Sequence, residues 1–159
     1  MLPEIKKILY ATVLGGEGAR NALLMAAGLA QSSGAQMVIL HVIVNISSST
    51  EGMLRNMLSD KQVSDLKRRD LEAREAELKQ RLEEFHAEEC PDQSFPGGEP
   101  VRVVAQGRSD EVILEQAEKH GVDMIVMGTR THSGIGQLLG STANRVIHHS
   151  KVPVVVYPL

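Results

Sequence analysis

Val122-Asp123-Met124-Ile125-Val126-Met127-Gly128-Thr129-Arg130, then a small polar segment, then Leu138-Leu139-Gly140-Ser141-Thr142: from this arrangement the rest of the chain can be worked out. Met124 to Met127 is apolar without alternation, as expected of a strand buried on both faces. Gly128 is expected to end that strand and let the backbone turn. Gly140-Ser141 then opens a helix whose first amide N–H groups have no partner within the helix. Glycine removes side-chain bulk there and the Ser141 hydroxyl adds a donor, a combination suited to holding a phosphate. A short helix and the strand Val152-Pro153-Val154-Val155-Val156-Tyr157 follow.

Working back to the start, Ile8 to Val13 reads as a first buried strand, and Gly15-Gly16-Glu17-Gly18 as a loop. Ala22, Leu23, Ala26, Ala27 and Ala30 recur at helical spacing over Ala19 to Ser33, with Gly34 as the stop. Met37 to Val44 is a second buried strand, and the serine-rich Asn45 to Thr50 a loop. Leu54 to Glu89 predicts one long, largely solvated helix, with room for a break near Ser59. Charged pairs at helical spacing support it: Asp65/Arg69, Asp70/Arg74, Glu75/Lys79 and Glu77/Arg81. Its narrow apolar stripe, Leu71, Leu78, Leu82 and Phe85, suits a helix covering a sheet and is too short for a coiled coil. Cys90 to Pro100 is a loop, and Val101 to Ala105 a third strand. Ser109 is expected to cap a helix running to His120, with Ile113 and Ala117 inward and Gly121 as its stop. Strands alternating with helices imply an α/β fold: a parallel sheet with helices on both faces.

The chain has 159 residues, enough for a single domain over 1–159 with a real core. A net charge of −3 and an aromatic content of 3% argue against a general nucleic-acid binder, which needs a basic excess and stacking platforms. The single cysteine, Cys90, permits no intrachain disulfide and no thiolate metal cluster. No signal-peptide pattern opens the chain and no apolar run is long enough to span a membrane. The expectation is a soluble, cytoplasmic protein without membrane or nucleic-acid partners.

Taken together, Lys7-Ile8-Leu9-Tyr10, Leu40-His41-Val42, Gly107 and the Gly128…Gly140-Ser141 segment resemble the universal stress protein family. Gly128, Gly140 and Ser141 match the family's nucleotide-binding signature. Thr131 stands where a second glycine is usual, and the spacer is shorter than the commonest form. The resemblance implies an open, doubly wound five-stranded sheet in the order 3-2-1-4-5. It also implies binding of ATP or a related adenine nucleotide (AMP or ADP) in a regulatory or sensing role, with any Mg²⁺ held by the phosphates. The alternative is a member that has lost nucleotide binding and acts through protein contacts. Dimerisation through the last strand is implied as well.

In a sheet of that order ligands bind beyond the strand ends, where the winding reverses between strands one and four. The candidate nucleotide-binding residues are therefore Ala11, Thr12, Val13, Val42, Met127, Gly128, Thr129, Arg130, Gly140, Ser141 and Thr142. Val42 matches a position whose backbone recognises adenine in similar proteins. Arg130 can pair with phosphate through its forked guanidinium. Competing motifs are missing. There is no Gly-Lys-Ser/Thr of a P-loop, and Asn21 interrupts the dinucleotide pattern begun by Gly16-Glu17-Gly18. Ser141 has no nucleophile elbow around it. No general base is evident, so no catalytic residue is assigned and slow ATP hydrolysis is the most that is expected. His148-His149 lack an acidic or thiol ligand at metal-site spacing, so no protein metal site is assigned.

One departure from the family carries a prediction. Where similar proteins place an Asp that binds the nucleoside, this chain has Val13, and Gly15 replaces a serine. A hydrogen bond to a charged group contributes about 1.5–3 kcal/mol, so Val13→Asp is expected to tighten ATP binding in a calorimetric titration. Equal or weaker binding by a folded variant would place the nucleoside's anchor elsewhere.

Overall fold

The computed structural model describes residues 1–12, 17–44, 48–89, 95–129 and 139–158. Among the candidate residues Val13 and Arg130 lie outside these, as do Gly15, Cys90, Thr131 and His132. The elements run β1 (Lys7–Thr12), α1 (Glu17–Ser33), β2 (Gln36–Ile43), α2 (Ser48–Met57), α3 (Asp60–Glu89), β3 (Val101–Gln106), α4 (Ser109–His120), β4 (Met124–Thr129), α5 (Ser141–His149) and β5 (Val154–Pro158). The five strands form one sheet in the order β3-β2-β1-β4-β5, with every pairing parallel. β1 lies at the centre, Tyr10 facing Ile39 on one side and Val126 on the other. Its apolar residues from Ile8 to Ala11 are all buried, which is why the run shows no alternation.

Each sheet face carries its own core. On one, Ile8, Tyr10, Met37, Ile39 and Val126 pack with Ala22, Ala26 and Ala30 of α1 and Leu78 of α3. The alanines recur every fourth residue, and their small side chains let α1 sit close on the sheet. On the other face Leu9, Leu40, Ile125 and Met127 pack with Val112, Ile113 and Ala117 of α4 and Ala143 and Val146 of α5. The sheet is thus covered on both sides, as its unbroken apolar strands require.

The long charged segment is two helices. Ser59 and Gln62 close a reciprocal cap at the break: the Gln62 N–H donates to Ser59 Oγ at 3.3 Å, and the Ser59 N–H donates to Gln62 Oε1 at 2.9 Å. Ser-x-x-Gln is the sequence signature of such a box, and it starts α3 where the longer reading allowed only for a break. Of the expected ion pairs, Asp70–Arg74 closes at 3.9 Å and Glu77–Arg81 at 3.2 Å, and Asp65 meets Arg68. All are exposed, so each contributes at most about 0.2–1 kcal/mol. Burial of Val63 and Leu78 does more to hold α3 on the body of the protein.

Three local expectations are corrected. Ser48 to Thr50 form the first turn of α2 and not a loop; hydroxyl residues suit helix starts, where N–H groups lack helical partners. Gly128 lies inside β4 and does not end it, because β5 continues alongside and pairs Gly128 with Tyr157 and Thr129 with Pro158. Ser109 is the first residue of α4, and Arg108 occupies the cap position without a side-chain cap bond. The guanidinium of Arg108 instead donates twice to the Asp110 carboxylate, at 2.9 Å each. A carboxylate in the first turn favours a helix start through the dipole. The two glycine stops hold: Gly34 and Gly121 have φ of 70° and 60°.

Candidate functional site

The C-terminal ends of β1 and β4 meet at the sheet's reversal point, and a cavity of about 290 Å³ opens there. Ala11 and Thr12 come from β1, and Val42 from β2. Met127, Gly128 and Thr129 come from β4, and Gly140, Ser141 and Thr142 from the start of α5. All candidate residues that are described thus line one cavity. Five residues that sequence reasoning did not assign also line it: His41, Val44, Ser109, Ile113 and Ala143. Ile113 was readable only as a core position. Ser109 enters because α4 begins beside the end of β3.

The start of α5 has an arrangement that its sequence does not spell out. The Gly140 N–H donates to Thr129 Oγ1 at 2.9 Å, which ties the helix entry to the end of β4. Gly140 makes no side-chain cap, and no acidic residue stands in the first turn of α5. Among the described residues no side chain caps the first-turn amides, which point outward with the positive end of the helix dipole behind them. Such a helix start favours negative charge near it.

His41 is buried on the strand next to β1, and its Nδ1 has no hydrogen-bond partner among the described residues. Burial holds its pKa below the ordinary imidazole value, while a hydrogen bond with the Thr12 backbone works the other way. The ring is therefore neutral at pH 7 and brings no charge to the cavity wall. Asp110, one residue beyond Ser109, is ionised. Its hydrogen bonds from Arg108 hold the carboxyl below the usual carboxylate range. The benefit is present above the carboxyl's unfolded pKa and is lost as pH falls through the depressed folded value.

Asp123, just before β4, has a structural task. Its Oδ2 accepts the backbone N–H groups of Lys6 and Lys7 at 2.8 and 3.0 Å, fixing the start of β1 to the start of β4. That clamp sets the register in which Thr12 and Thr129 reach the same crevice. At the far end of α5, His149 Nδ1 lies 2.9 Å from the Arg145 carbonyl oxygen, so that ring nitrogen carries the proton. Among the described residues no group of three or more His, Cys, Asp or Glu is placed to hold a metal ion. No helix among them is long and apolar enough to cross a membrane.

Residues 4–158 match the model of the universal stress protein family. Universal stress protein A homolog 2 of Coxiella burnetii is 31% identical over 153 residues, spanning 96% of this chain and 94% of that protein. Among solved structures, universal stress protein UspA from Lactobacillus plantarum superposes with a TM-score of 0.66 at 20% identity, covering 98% of this chain and 99% of that one. A universal stress protein in complex with cAMP gives 0.62 at 17% identity, covering 98% of each chain. Its parallel sheet, its strand order and its match along nearly the whole sequence lead to one conclusion: the chain belongs to the universal stress protein family.

Proposed function

We propose that this protein binds an adenine nucleotide, ATP in the first place, as a regulatory or sensing module. The observation that carries the reading is the uncapped start of α5 facing a cavity at the sheet's reversal point. The phosphates sit on the amides of Ser141 and Thr142, with the Ser141 and Thr142 hydroxyls as further donors. Gly128 and Gly140 leave room beside them. The base lies toward Val42, whose backbone offers both a donor and an acceptor. Apolar walls from Ala11, Ile113 and Met127 suit a purine face. Any Mg²⁺ would be carried by the phosphates, which supply the hard oxygen ligands it prefers. The relative solved with cAMP carries only the fold at its level of identity, so the reading stands on this chain's own cavity.

Calorimetric titration of the full chain with ATP and Mg²⁺ tests it. Saturable heat and a ligand-dependent rise in Tm are expected. No heat and no thermal shift at millimolar ligand would leave the second reading, a family member that works through protein contacts. Val13, in place of a nucleoside-binding Asp, is the feature favouring that alternative.

A homodimer joined along β5 belongs to the same proposal. β5 is an edge strand, and α3 packs beside β3 at the opposite edge, so it does not cover β5. Val154, Val155, Val156 and Tyr157 are only partly buried in the single chain. An apolar edge with unpaired backbone groups invites a second copy, and twofold symmetry closes the pairing. Val155→Lys is expected to shift the mass measured by light scattering toward the monomer. A wild-type monomer across micromolar concentrations, or a dimer indifferent to the lysine, would remove this part of the proposal.

A further inference from the structure

A second, larger cavity of about 530 Å³ lies between the ends of β2 and β3 and the helices α2 and α3. Its size is within the ordinary range of small-molecule sites. Leu54 of α2 and Val63, Leu66 and Leu71 of α3 give it an apolar wall. Two cations, Lys67 and Arg74, and one acid, Asp70, also line it. Lys67 is engaged, its ammonium 2.8 Å from Glu51 Oε1. Arg74 is not held in the same way. Its nearest carboxylate oxygens, on Glu77 and Asp70, stand at 3.8 and 3.9 Å, beyond hydrogen-bond distance. A forked donor is thus left at the edge of an apolar chamber, the arrangement that suits a carboxylate on a hydrocarbon body.

We propose that this cavity is a second ligand site, for an amphipathic monocarboxylate such as a medium-chain fatty acid. The carboxylate takes the Arg74 guanidinium and the chain lies along Leu54, Val63, Leu66 and Leu71. The site adjoins the nucleotide cavity, since His41, Val42 and Val44 line both, yet it uses none of the α5 residues assigned to phosphate. Its proposed contacts are therefore made without the phosphate site, although Val42 borders both cavities.

The test uses the full chain and decanoate, titrated calorimetrically below the concentration at which it forms micelles. One-to-one saturable binding is expected, weakened at least tenfold in Arg74→Gln. Leu71→Trp, which fills the chamber, is expected to abolish it, with circular dichroism reporting that the variant is folded. Arg74 is half-exposed, so Arg74→Gln keeps the test decisive if the tryptophan variant does not fold. Gly140→Val should bind decanoate as the wild type does, which separates this site from the nucleotide reading. The proposal is overturned by the absence of saturable binding, by wild-type affinity in Arg74→Gln, or by equally tight binding of decyltrimethylammonium. It is also overturned if Gly140→Val removes decanoate binding, for then both ligands would share the α5 pocket.

Discussion

Gly140→Val is expected to remove nucleotide binding and leave the fold in place. Gly140 has φ −55° and ψ 152°, a conformation open to any residue, so valine brings no backbone strain. Its N–H can still donate to Thr129 Oγ1. The loss at the helix start is small, because glycine is only a moderate cap and valine a poor one; about 1 kcal/mol bounds it. In the proposed placement of the phosphate, however, the branched side chain competes for the space beside the Ser141 and Thr142 amides. A phosphate displaced from there loses several charge-assisted hydrogen bonds together, and losing two of them at about 1.5 kcal/mol each weakens binding about a hundredfold or more. ATP titration of wild type and variant, each with its melting curve, measures both quantities. A variant that binds ATP as the wild type does would move the phosphate site away from α5.

Gly97→Ala is expected to give the largest loss of stability among single methyl additions at the glycines whose surroundings are described. A Cβ on Gly97 would overlap the carbonyl carbon of Ala35 and the amide nitrogen of Gln36. These are backbone atoms at the junction of α1 and β2, and they cannot rotate away as a side chain would. Gln36 is also fixed by its N–H donating to the Lys6 carbonyl at 2.9 Å and its side chain donating to the Glu99 carbonyl at 3.1 Å. Overpacking of this kind costs about 1–3 kcal/mol. For a chain of this size each kcal/mol lowers Tm by about 2–4 °C. Gly28→Ala is the control with the opposite sign. Gly28 is exposed within α1, and a Cβ there meets nothing within 4 Å. Replacing it should raise stability by about 0.5–1 kcal/mol through helix propensity. If thermal melts show the two variants shifting in the same direction, close approach at Gly97 is not what the structure depends on.

Burial on both faces made the strands legible. Ile8 to Ala11, Met37 to Leu40 and Ile125 to Met127 have no polar face to alternate, and they read as strands without further help. The strand order was not visible in that pattern, because an apolar strand does not record its neighbours; it came from the family resemblance. Most of the described candidate residues were readable because they lie at chain positions where strands stop or a helix starts. His41 escaped, since a histidine inside an apolar run looks the same whether it lines a cavity or lies in the core. The Arg108–Asp110 pair escaped too: Ser109 between them is the better cap by composition, and only the geometry shows the guanidinium reaching past it. Gly97 in its loop gave no sign of resting on backbone, because close approach is a property of two segments distant in sequence.

The clamp from Asp123 to the amides of Lys6 and Lys7 joins groups 117 and 116 residues apart, and this separation acts on the nascent chain. As the protein emerges from the ribosome, β1 can pair with β2 early, but its other edge stays bare until β4 has been made. At ordinary synthesis rates that interval is roughly 6–23 s. Throughout it the strand destined for the centre of the sheet, with Ile8 to Ala11 all buried in the finished fold, is an open edge. The half-made chain is therefore the aggregation-prone species, and slower translation between residues 44 and 124 should increase the load on chaperones without any change in the finished fold.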